Sequence, residues 1–364
     1  MTTDTGDTGD RQGALEPTWE EHFLGEPPRM TRPEVAAILG IPDAVTDRFW
    51  HALGFPIVED DEAIFTGADV AALRRVQALL ADGVAEETAL AMTRALARTT
   101  DRLAVWQTQL IAEVLTPVEI TDSLPTASDL HDGVHPAAKV KDTRTVANRA
   151  IAEAAARELA RLCDEIEPLL VFAWRRHLTA AVTRMLADAT PDVQSSAPDR
   201  IVGFADLVSF TSLVRRMSER QLAVVVQRFE ALASDVITAH GGRVIKTVGD
   251  EVLFVHTDAA PAAAIALDLV AAMDDDPLLP PVRVGMAYGR VVSRLGDVFG
   301  TTVNRASRLT AVTPDGRVYV DEALATRLTS VSGFDVIPAR RRILRGIGAV
   351  RPGELRRHSG ERRS

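Results

Sequence analysis

The stretch "GGRVIKTVGDEVLFV" (Gly241–Val255) decides the fold class of the C-terminal half of the chain. Its apolar residues flank Gly249-Asp250, a pair that tolerates the backbone angles of a tight reversal, so the stretch predicts a β-hairpin. Charged residues of both signs, Lys246, Asp250 and Glu251, crowd its centre. Taken alone, these charges have an ordinary interpretation as exposed ion pairs, which contribute little to stability.

The segments on either side of this hairpin alternate strand and helix signals. The strand pattern "RIVGFADLVSF" and the helical run "SERQLAVVVQRFEALASDVITAHG" precede it, and a helix, a strand pair and a third helix follow it. This order predicts an α+β domain over residues 201–350, in which helices pack against a largely antiparallel sheet.

The N-terminal half has helical periodicity and no comparable cluster of catalytic residue types. Thr31 and Thr66 are each followed three residues later by an acidic residue, which is typical of a capped helix start. We expect a tail at 1–30, an all-α domain with long connecting helices at 31–190, a linker at 191–200 and a basic tail at 351–364. The apolar residues at helical spacing predict a core that includes Ile38, Leu39, Val70, Leu73, Val76 and Leu79.

The composition of the 364 residues, 46% hydrophobic and 25% charged, is that of an ordinary globular protein. A single cysteine, Cys163, excludes a disulfide framework within the chain. A helix that spans a bilayer needs about 18 consecutive apolar residues, and no run in the sequence approaches this length. The N-terminus lacks the features of a secretion signal, so we expect a cytoplasmic protein without a membrane span. A net charge of −10 argues against nucleic acid as a general partner.

Two carboxylates indicate a metal site. Asp206 ends an apolar strand in "FADLVSF", and Asp250 lies on the hairpin. If the fold brings them together in a cleft, they repel one another unless divalent cations lie between them. Paired Mg²⁺ or Mn²⁺ ions are the usual arrangement when the substrate carries phosphates.

Three motifs together resemble the catalytic domain of class III nucleotidyl cyclases. "FADLVSFT", "GGRVIKTVGDEVLF" and "GDVFGTTVNRASRL" occur in the order and approximate spacing of that family, over Ile201 to Gly348. The resemblance implies a ferredoxin-like βαββαβ-type catalytic domain. It also implies conversion of a nucleoside triphosphate into its 3′,5′-cyclic monophosphate and pyrophosphate, with two divalent metal ions, Mg²⁺ or Mn²⁺, in each site.

The resemblance also assigns roles to single residues in this chemistry. Asp206 and Asp250 match the metal ligands of the family. Asn304 matches the residue that orients the ribose, and Arg308 matches the one that stabilises charge at the α-phosphate. The i, i+4 spacing of these two places them on one face of a helix.

Substrate choice in the family depends on two further positions. Lys246 and Asp297 resemble the pair that selects adenine, so ATP is the expected substrate, and guanylyl cyclase activity is the alternative. Arg345, before Gly346, is the position most like the phosphate-binding lysine of the family. Ser209 stands where many relatives have glycine, which affects how closely the backbone approaches the phosphates.

The resemblance implies a head-to-tail homodimer. In the family one chain supplies the metal ligands and the other supplies the base-selecting pair, the asparagine and the arginine. Because one chain here contains every element, we expect two equivalent sites at the interface of a homodimer.

The N-terminal half leaves more than one interpretation open. Its start is similar to the helix-turn-helix of MerR-like regulators, so a DNA-binding or scaffold protein with an inactive cyclase domain is an alternative. The whole arrangement resembles actinobacterial and mycobacterial cyclases whose helical domain inhibits the catalytic pair and responds to pH. Some of those relatives bind a fatty acid in this domain. His131, His135 and His177 are candidate proton sensors, because unperturbed histidine titrates near physiological pH.

Overall fold

A computed structural model gives the three-dimensional structure of the chain, and it describes residues 19–56, 59–115, 144–189, 198–215, 217–294 and 296–358. Contacts divide these residues into two compact units, the first ending at Ala181 and the second beginning at Val182. No helix in the described ranges is long and apolar enough to cross a membrane. His131 and His135 lie outside the described residues.

The first unit is helical, as predicted. It consists of α1 (Trp19–Leu24), α2 (Arg32–Leu39), α3 (Asp43–Ala52), α4 (Gly67–Ala81), α5 (Glu86–Leu115) and the part of α6 (Arg144–Asp188) up to Ala181. The predicted starts at Thr31 and Thr66 are confirmed, since each threonine forms a capping box with the acidic residue three positions later.

Aromatic side chains form the centre of the helical unit. The Trp50 ring contacts the rings of Phe55 and Phe65 in tilted geometry, with ring centroids 4.5 Å apart in both pairs, and its indole N–H donates to the Pro56 carbonyl. The predicted core residues Val70 and Leu73 are buried there. The prediction was wrong for Ile38 and Leu79, which are 49% and 38% exposed, because a helix with a narrow buried stripe leaves its flanking apolar residues in solvent.

The second unit is the α+β domain that the sequence predicts. After the end of α6, its elements are β1 (Asp199–Leu207), α7 (Phe210–Val214), α8 (Glu219–Ala239), β2 (Arg243–Val248), β3 (Glu251–His256), α9 (Ala259–Asp274), β4 (Val282–Arg290), β5 (Val292–Arg294), β6 (Asp297–Phe299), α10 (Thr301–Thr310), β7 (Val318–Val320), α11 (Glu322–Leu328), β8 (Phe334–Pro338), β9 (Arg342–Leu344), β10 (Gly348–Val350) and β11 (Gly353–Arg357).

Seven of these strands form one sheet in the order β2-β3-β1-β4-β7-β11-β8. Each of the first four is antiparallel to its neighbour, and with their connecting helices they give the βαββαβ arrangement. The predicted hairpin is confirmed, because β2 and β3 pair across Gly249-Asp250, with Val248 opposite Glu251.

The boundaries of the elements differ from the predicted domain limits at both ends. Helix α1 begins at Trp19, inside the predicted tail, and β11 occupies Gly353–Arg357, inside the predicted basic tail. Two basic residues of that segment, Arg356 and Arg357, belong to this strand and are exposed, whereas Leu355 is 2% exposed and packs in the core of the domain.

The two faces of the sheet have different neighbours. One face packs against α8 and α9 through fully buried side chains such as Ile201, Phe254 and Ile265. The other face carries Val202 and Leu253, and α10 packs on it so closely that a Cβ atom added at Gly285 would lie 2.2 Å from the Thr310 amide nitrogen. This second face, called here the α10 face, carries the functional residues described next.

Candidate active site

Two acidic side chains and one arginine meet on the α10 face at one end of the central strands. Asp206 on β1 lies directly opposite Glu251 on β3 and opposite Arg283 on β4. Both the Nε and Nη2 groups of Arg283 donate to Asp206 Oδ2, at 2.8 and 2.5 Å. Asp250 occupies the adjoining hairpin turn, where its backbone carbonyl accepts from the Leu207 amide at 3.0 Å.

This carboxylate cluster, formed by Asp206, Asp250 and Glu251, is electrostatically crowded. Burial, followed by repulsion from the other two carboxylates, raises the pKa of Glu251 to about 7. The pKa of Asp250 is also raised, by burial and by Asp206, while Arg283 opposes the shift. A divalent cation bound to these oxygens would remove the repulsion, so the donor set fits the hard, oxygen-preferring ions Mg²⁺ and Mn²⁺.

Two members of this site are not predicted from the sequence. The sequence pattern gives Glu251 no role beyond an exposed ion pair, and it does not single out Arg283. Glu251 follows Asp250 directly, which was an available signal. The role of Arg283 depends on the register of β4 against β1, a long-range pairing that no local pattern reveals.

Lys246 and Asp297 meet further along the same face. The Lys246 ammonium donates to Asp297 Oδ2 at 2.7 Å, and the other carboxylate oxygen accepts from the Val298 amide at 2.8 Å. A register shift between Val244 and Lys246 places Lys246 opposite Leu253 and therefore on the α10 face. The hydrogen bond from Lys246 is the main reason that the pKa of Asp297 lies below its usual value.

Helix α10 carries Asn304, whose side chain is exposed, and Arg308, which is partly buried. The β9–β10 turn approaches Arg308 so closely that a Cβ atom added at Gly346 would lie 2.8 Å from its Nη1. Gly346 has a φ of 69°, a conformation that favours glycine. The structure therefore brings Arg308 and the turn that contains the exposed Arg345 together, as one basic group.

Asn304 and the carboxylate cluster do not meet within one chain. Helix α10 runs along β4, with the Thr302 hydroxyl bonded to the Arg290 carbonyl at 2.8 Å and Thr310 packed on Gly285. Asn304 is therefore level with about residue 289 of β4, whereas Asp206 lies opposite Arg283. At about 3.4 Å per strand residue, the two are about 20 Å apart along the sheet.

Ser209 has a positive φ of 60°, in the left-handed region that residues with a side chain rarely adopt. It lies between Asp206 and α7, and its carbonyl accepts from the Ser212 amide at 3.0 Å. Glycine adopts this conformation without cost, which explains why a glycine suits this position. The strained backbone adjoins the carboxylate cluster, where strain is often found in active sites.

Comparison with known proteins agrees with this arrangement. Residues 194–355 match the family described as adenylate and guanylate cyclase catalytic domain, and residues 18–128 match the adenylate cyclase regulatory domain. An adenylate cyclase of Glutamicibacter nicotianae is 36% identical over 355 residues, which cover 92% of this chain and 81% of the relative. The chain belongs to the class III adenylate cyclase family.

Two further relatives of this adenylate cyclase carry informative names. An adenylate cyclase of Streptomyces coelicolor is 37% identical over 385 residues, covering 98% of this chain and 93% of the relative. A protein of Mycobacterium tuberculosis named pH-sensitive adenylate cyclase is 42% identical over 160 residues, covering 43% of this chain and 40% of that protein. The family and the two-domain composition predicted from the sequence are confirmed.

Proposed function

We propose that this cyclase converts ATP into 3′,5′-cyclic AMP and pyrophosphate at two sites of a homodimer. The observation that carries the choice of ATP is the Lys246–Asp297 pair. Adenine presents an acceptor ring nitrogen beside a donor amine, so it suits an ammonium donor beside a carboxylate acceptor. Guanine presents the opposite pattern on that edge and would leave both groups without a partner.

Two divalent cations would be held by Asp206 and Asp250 when substrate binds. Such ions would neutralise the triphosphate and lower the pKa of the ribose 3′-hydroxyl. The 3′-oxygen forms a bond to the α-phosphorus as the bond to the bridging oxygen of pyrophosphate breaks, and the hydroxyl proton passes to solvent water. Arg283 holds the Asp206 carboxylate in place through two hydrogen bonds, which restricts its rotation in the site.

The residues of α10 and the β9–β10 turn act on the nucleotide itself. Asn304 orients the ribose so that its 3′-oxygen faces the α-phosphorus. Arg308 donates to the α-phosphate as negative charge grows there, and Arg345 on the adjacent turn binds the outer phosphates. The close packing of Gly346 on Arg308 supports this division, because the Arg308 guanidinium then lies next to the turn that carries Arg345.

Two chains are required because the reacting groups are too far apart in one. About 20 Å of sheet separates Asn304 from Asp206 in one chain, whereas the ribose and the α-phosphate are adjacent parts of one nucleotide. Exposed apolar side chains also surround the base-selecting pair, with Val248, Val292 and Phe299 at 62%, 54% and 51% exposure. A second copy packed on this face would cover them.

Complementation tests the shared sites. Chains with Asp206→Ala and chains with Asn304→Ala are each expected to be inactive as homodimers. Mixed, they form heterodimers in which one of the two sites contains no substitution, so activity should return. If both variants fold and pair but the mixture stays inactive, the proposal of sites shared between two chains is wrong.

The helical unit is proposed to inhibit the catalytic unit and to respond to pH. Support comes from the match of residues 18–128 to the regulatory family and from the relative named pH-sensitive. His177 lies exposed on α6 and remains a candidate sensor. A fatty-acid ligand and DNA binding stay predictions.

The pH response is tested by comparing two chains. The full chain should gain activity on mild acidification, and a shortened chain beginning at Asp199 should not. Parallel pH profiles of the two chains would contradict a pH response of the helical unit.

The decisive experiment for the activity is product analysis. Purified full-length protein is incubated with Mn²⁺ and either ATP or GTP, and the cyclic product is separated and quantified at several pH values. Cyclic AMP should form, with little cyclic GMP, and Asp250→Ala should abolish it. Preferential cyclic GMP formation would support the guanylyl cyclase alternative, and no product from either nucleotide would contradict the enzymatic proposal.

A further inference from the structure

Three arginines lie together at the end of the α10 face that is remote from the carboxylate cluster. Arg184 is on the last turns of α6, one helical turn before Asp188 and on the same helix face. Asp188 in turn accepts a hydrogen bond at 2.5 Å from Arg200 at the start of β1. We call Arg184, Arg200 and Arg243 the arginine cluster.

The register of the sheet brings Arg243 to the same place. Val202 on β1 lies opposite Val255 on β3, and Val255 lies opposite Arg243 on β2, so all three project from one face. Arg200 is two residues before Val202 and therefore projects from that face too. The two strands are about 10 Å apart, a gap that two arginine side chains can bridge.

The charges of this cluster are poorly balanced. The carboxylate of Asp188 pairs with the cluster, and it already accepts the hydrogen bond from Arg200. Arg243 is partly buried, and its side chain makes no hydrogen bond or ion pair in the described part of the chain. Burial, and then repulsion from Arg184 and Arg200, lowers the pKa of Arg243. An uncompensated guanidinium in this setting is unfavourable, and a bound anion would relieve it.

We propose that the arginine cluster binds a phosphate-type oxyanion, either inorganic phosphate or pyrophosphate. Guanidinium groups present parallel N–H donors that match the oxygens of such ions, whereas chloride cannot bridge three separate forks. Bound there, the anion joins the end of α6 to the first residues of β1 and β2. The site is separate from the proposed catalytic residues and does not depend on cyclase activity.

Binding is measured on the full-length protein, with EDTA present and nucleotide absent. Equilibrium dialysis with labelled phosphate or pyrophosphate, at constant ionic strength set by sodium chloride, gives affinity and stoichiometry for each ion. Arg345→Gln serves as the matched control, because it removes an arginine proposed to bind phosphate in the catalytic site. The wild type and this control should both bind the oxyanion saturably.

Arg243→Gln should weaken binding at least about tenfold, the scale of one lost charge-assisted contact. It should also raise the thermal unfolding midpoint in chloride alone, because the repulsion inside the cluster is reduced. Arg184→Gln, at an exposed helix position, is a second variant that should fold normally and should also weaken binding. Unchanged affinity in both variants would overturn the proposal.

The alternative occupant is a carboxylate of a second copy of the chain. In that case the unfolding midpoint rises with protein concentration and does not respond to phosphate or pyrophosphate. Either that result, or binding lost in Arg345→Gln and retained in Arg243→Gln, would overturn the oxyanion proposal. Saturable binding that is lost only with the cluster arginines supports it, and the difference between the two labelled ions identifies the preferred one.

Discussion

The carboxylate cluster and the Lys246–Asp297 pair lie on the same face of one sheet but differ in their charge balance. Burial, and then repulsion from neighbouring carboxylates, raises the pKa values of Glu251 and Asp250, whereas the pKa of Asp297 is lowered by its lysine partner. The first group gains stability when a cation arrives. In the second group Lys246 already donates a hydrogen bond to Asp297, so a base that binds there must replace this bond with bonds of its own. A cation would therefore relieve a repulsion in the first group, whereas a base would compete with an existing attraction in the second.

The largest effect is expected at the carboxylate cluster. Substitution of a residue that only supports a metal ligand typically lowers activity by about 10- to 100-fold. Asp250→Ala should lower kcat by more than that, because Asp250 is proposed to bind the metal directly. Steady-state assays with ATP and saturating Mn²⁺ measure this. Asp235→Asn on α8, a carboxylate outside the proposed site, is the control and should leave kcat unchanged. A smaller loss with Asp250→Ala would contradict its role as a ligand.

The base-selecting pair should show a smaller effect that is specific to the nucleotide. Lys246→Ala removes the proposed donor to the adenine ring nitrogen, so kcat/KM for ATP should fall by about 10- to 100-fold, the discrimination of a good two-point base contact. The value for GTP should change little. Parallel assays with both nucleotides check this. Equal losses for ATP and GTP would indicate a structural role for Lys246.

The raised pKa of Glu251 predicts a pH dependence of stability in the metal-free protein. The folded state holds this proton more tightly than the unfolded state, so the contribution is fully present below the ordinary value of 4.5 and is lost as pH rises through about 7. Thermal unfolding in EDTA should show midpoints that fall by a few degrees across this range.

Glu251→Gln should flatten that part of the profile, and Glu230→Gln on α8 is the control that should preserve it. Adding Mn²⁺ at pH 8 should stabilise the wild type, since the cation neutralises the crowded carboxylates. A profile for Glu251→Gln identical to that of the wild type would show that another group is responsible.

The smallest effect concerns the backbone beside the cluster. Ser209→Gly should stabilise the protein by about 1 kcal/mol, because glycine adopts the left-handed conformation without the cost that a side chain imposes. Urea unfolding of the metal-free protein measures the difference in free energy. Ser212→Gly, inside α7, should destabilise instead. Destabilisation by Ser209→Gly would mean that its side chain has a contact that outweighs the strain.

The sequence predicts those structural features that depend on residues close together in the chain. The turn at Gly249-Asp250 specified the hairpin, and the spacing of Asn304 and Arg308 placed them on one helix. The unusual serine at 209 corresponds to the strained position. Information that depends on pairing between distant strands was not available. Examples are the contact of Arg283 with Asp206 and the inclusion of β11 in the sheet.

The contact between Lys246 and Asp297 could not be predicted from the sequence. The resemblance assigns both residues to selection of the base, but their direct hydrogen bond depends on the register shift in β2, which no sequence pattern indicates. The arginine cluster is another example. Arg184, Arg200 and Arg243 lie on three separate elements, and only the fold makes them neighbours.

The short hairpin between β2 and β3 has a consequence for the two catalytic centres. In the proposed homodimer, Lys246 serves one catalytic centre and Asp250 serves the other, although only three residues separate them on one hairpin. A base bound to Lys246 in one centre and a cation bound to Asp250 in the other would therefore contact the same hairpin, so each β2–β3 hairpin of the proposed homodimer would belong to both centres.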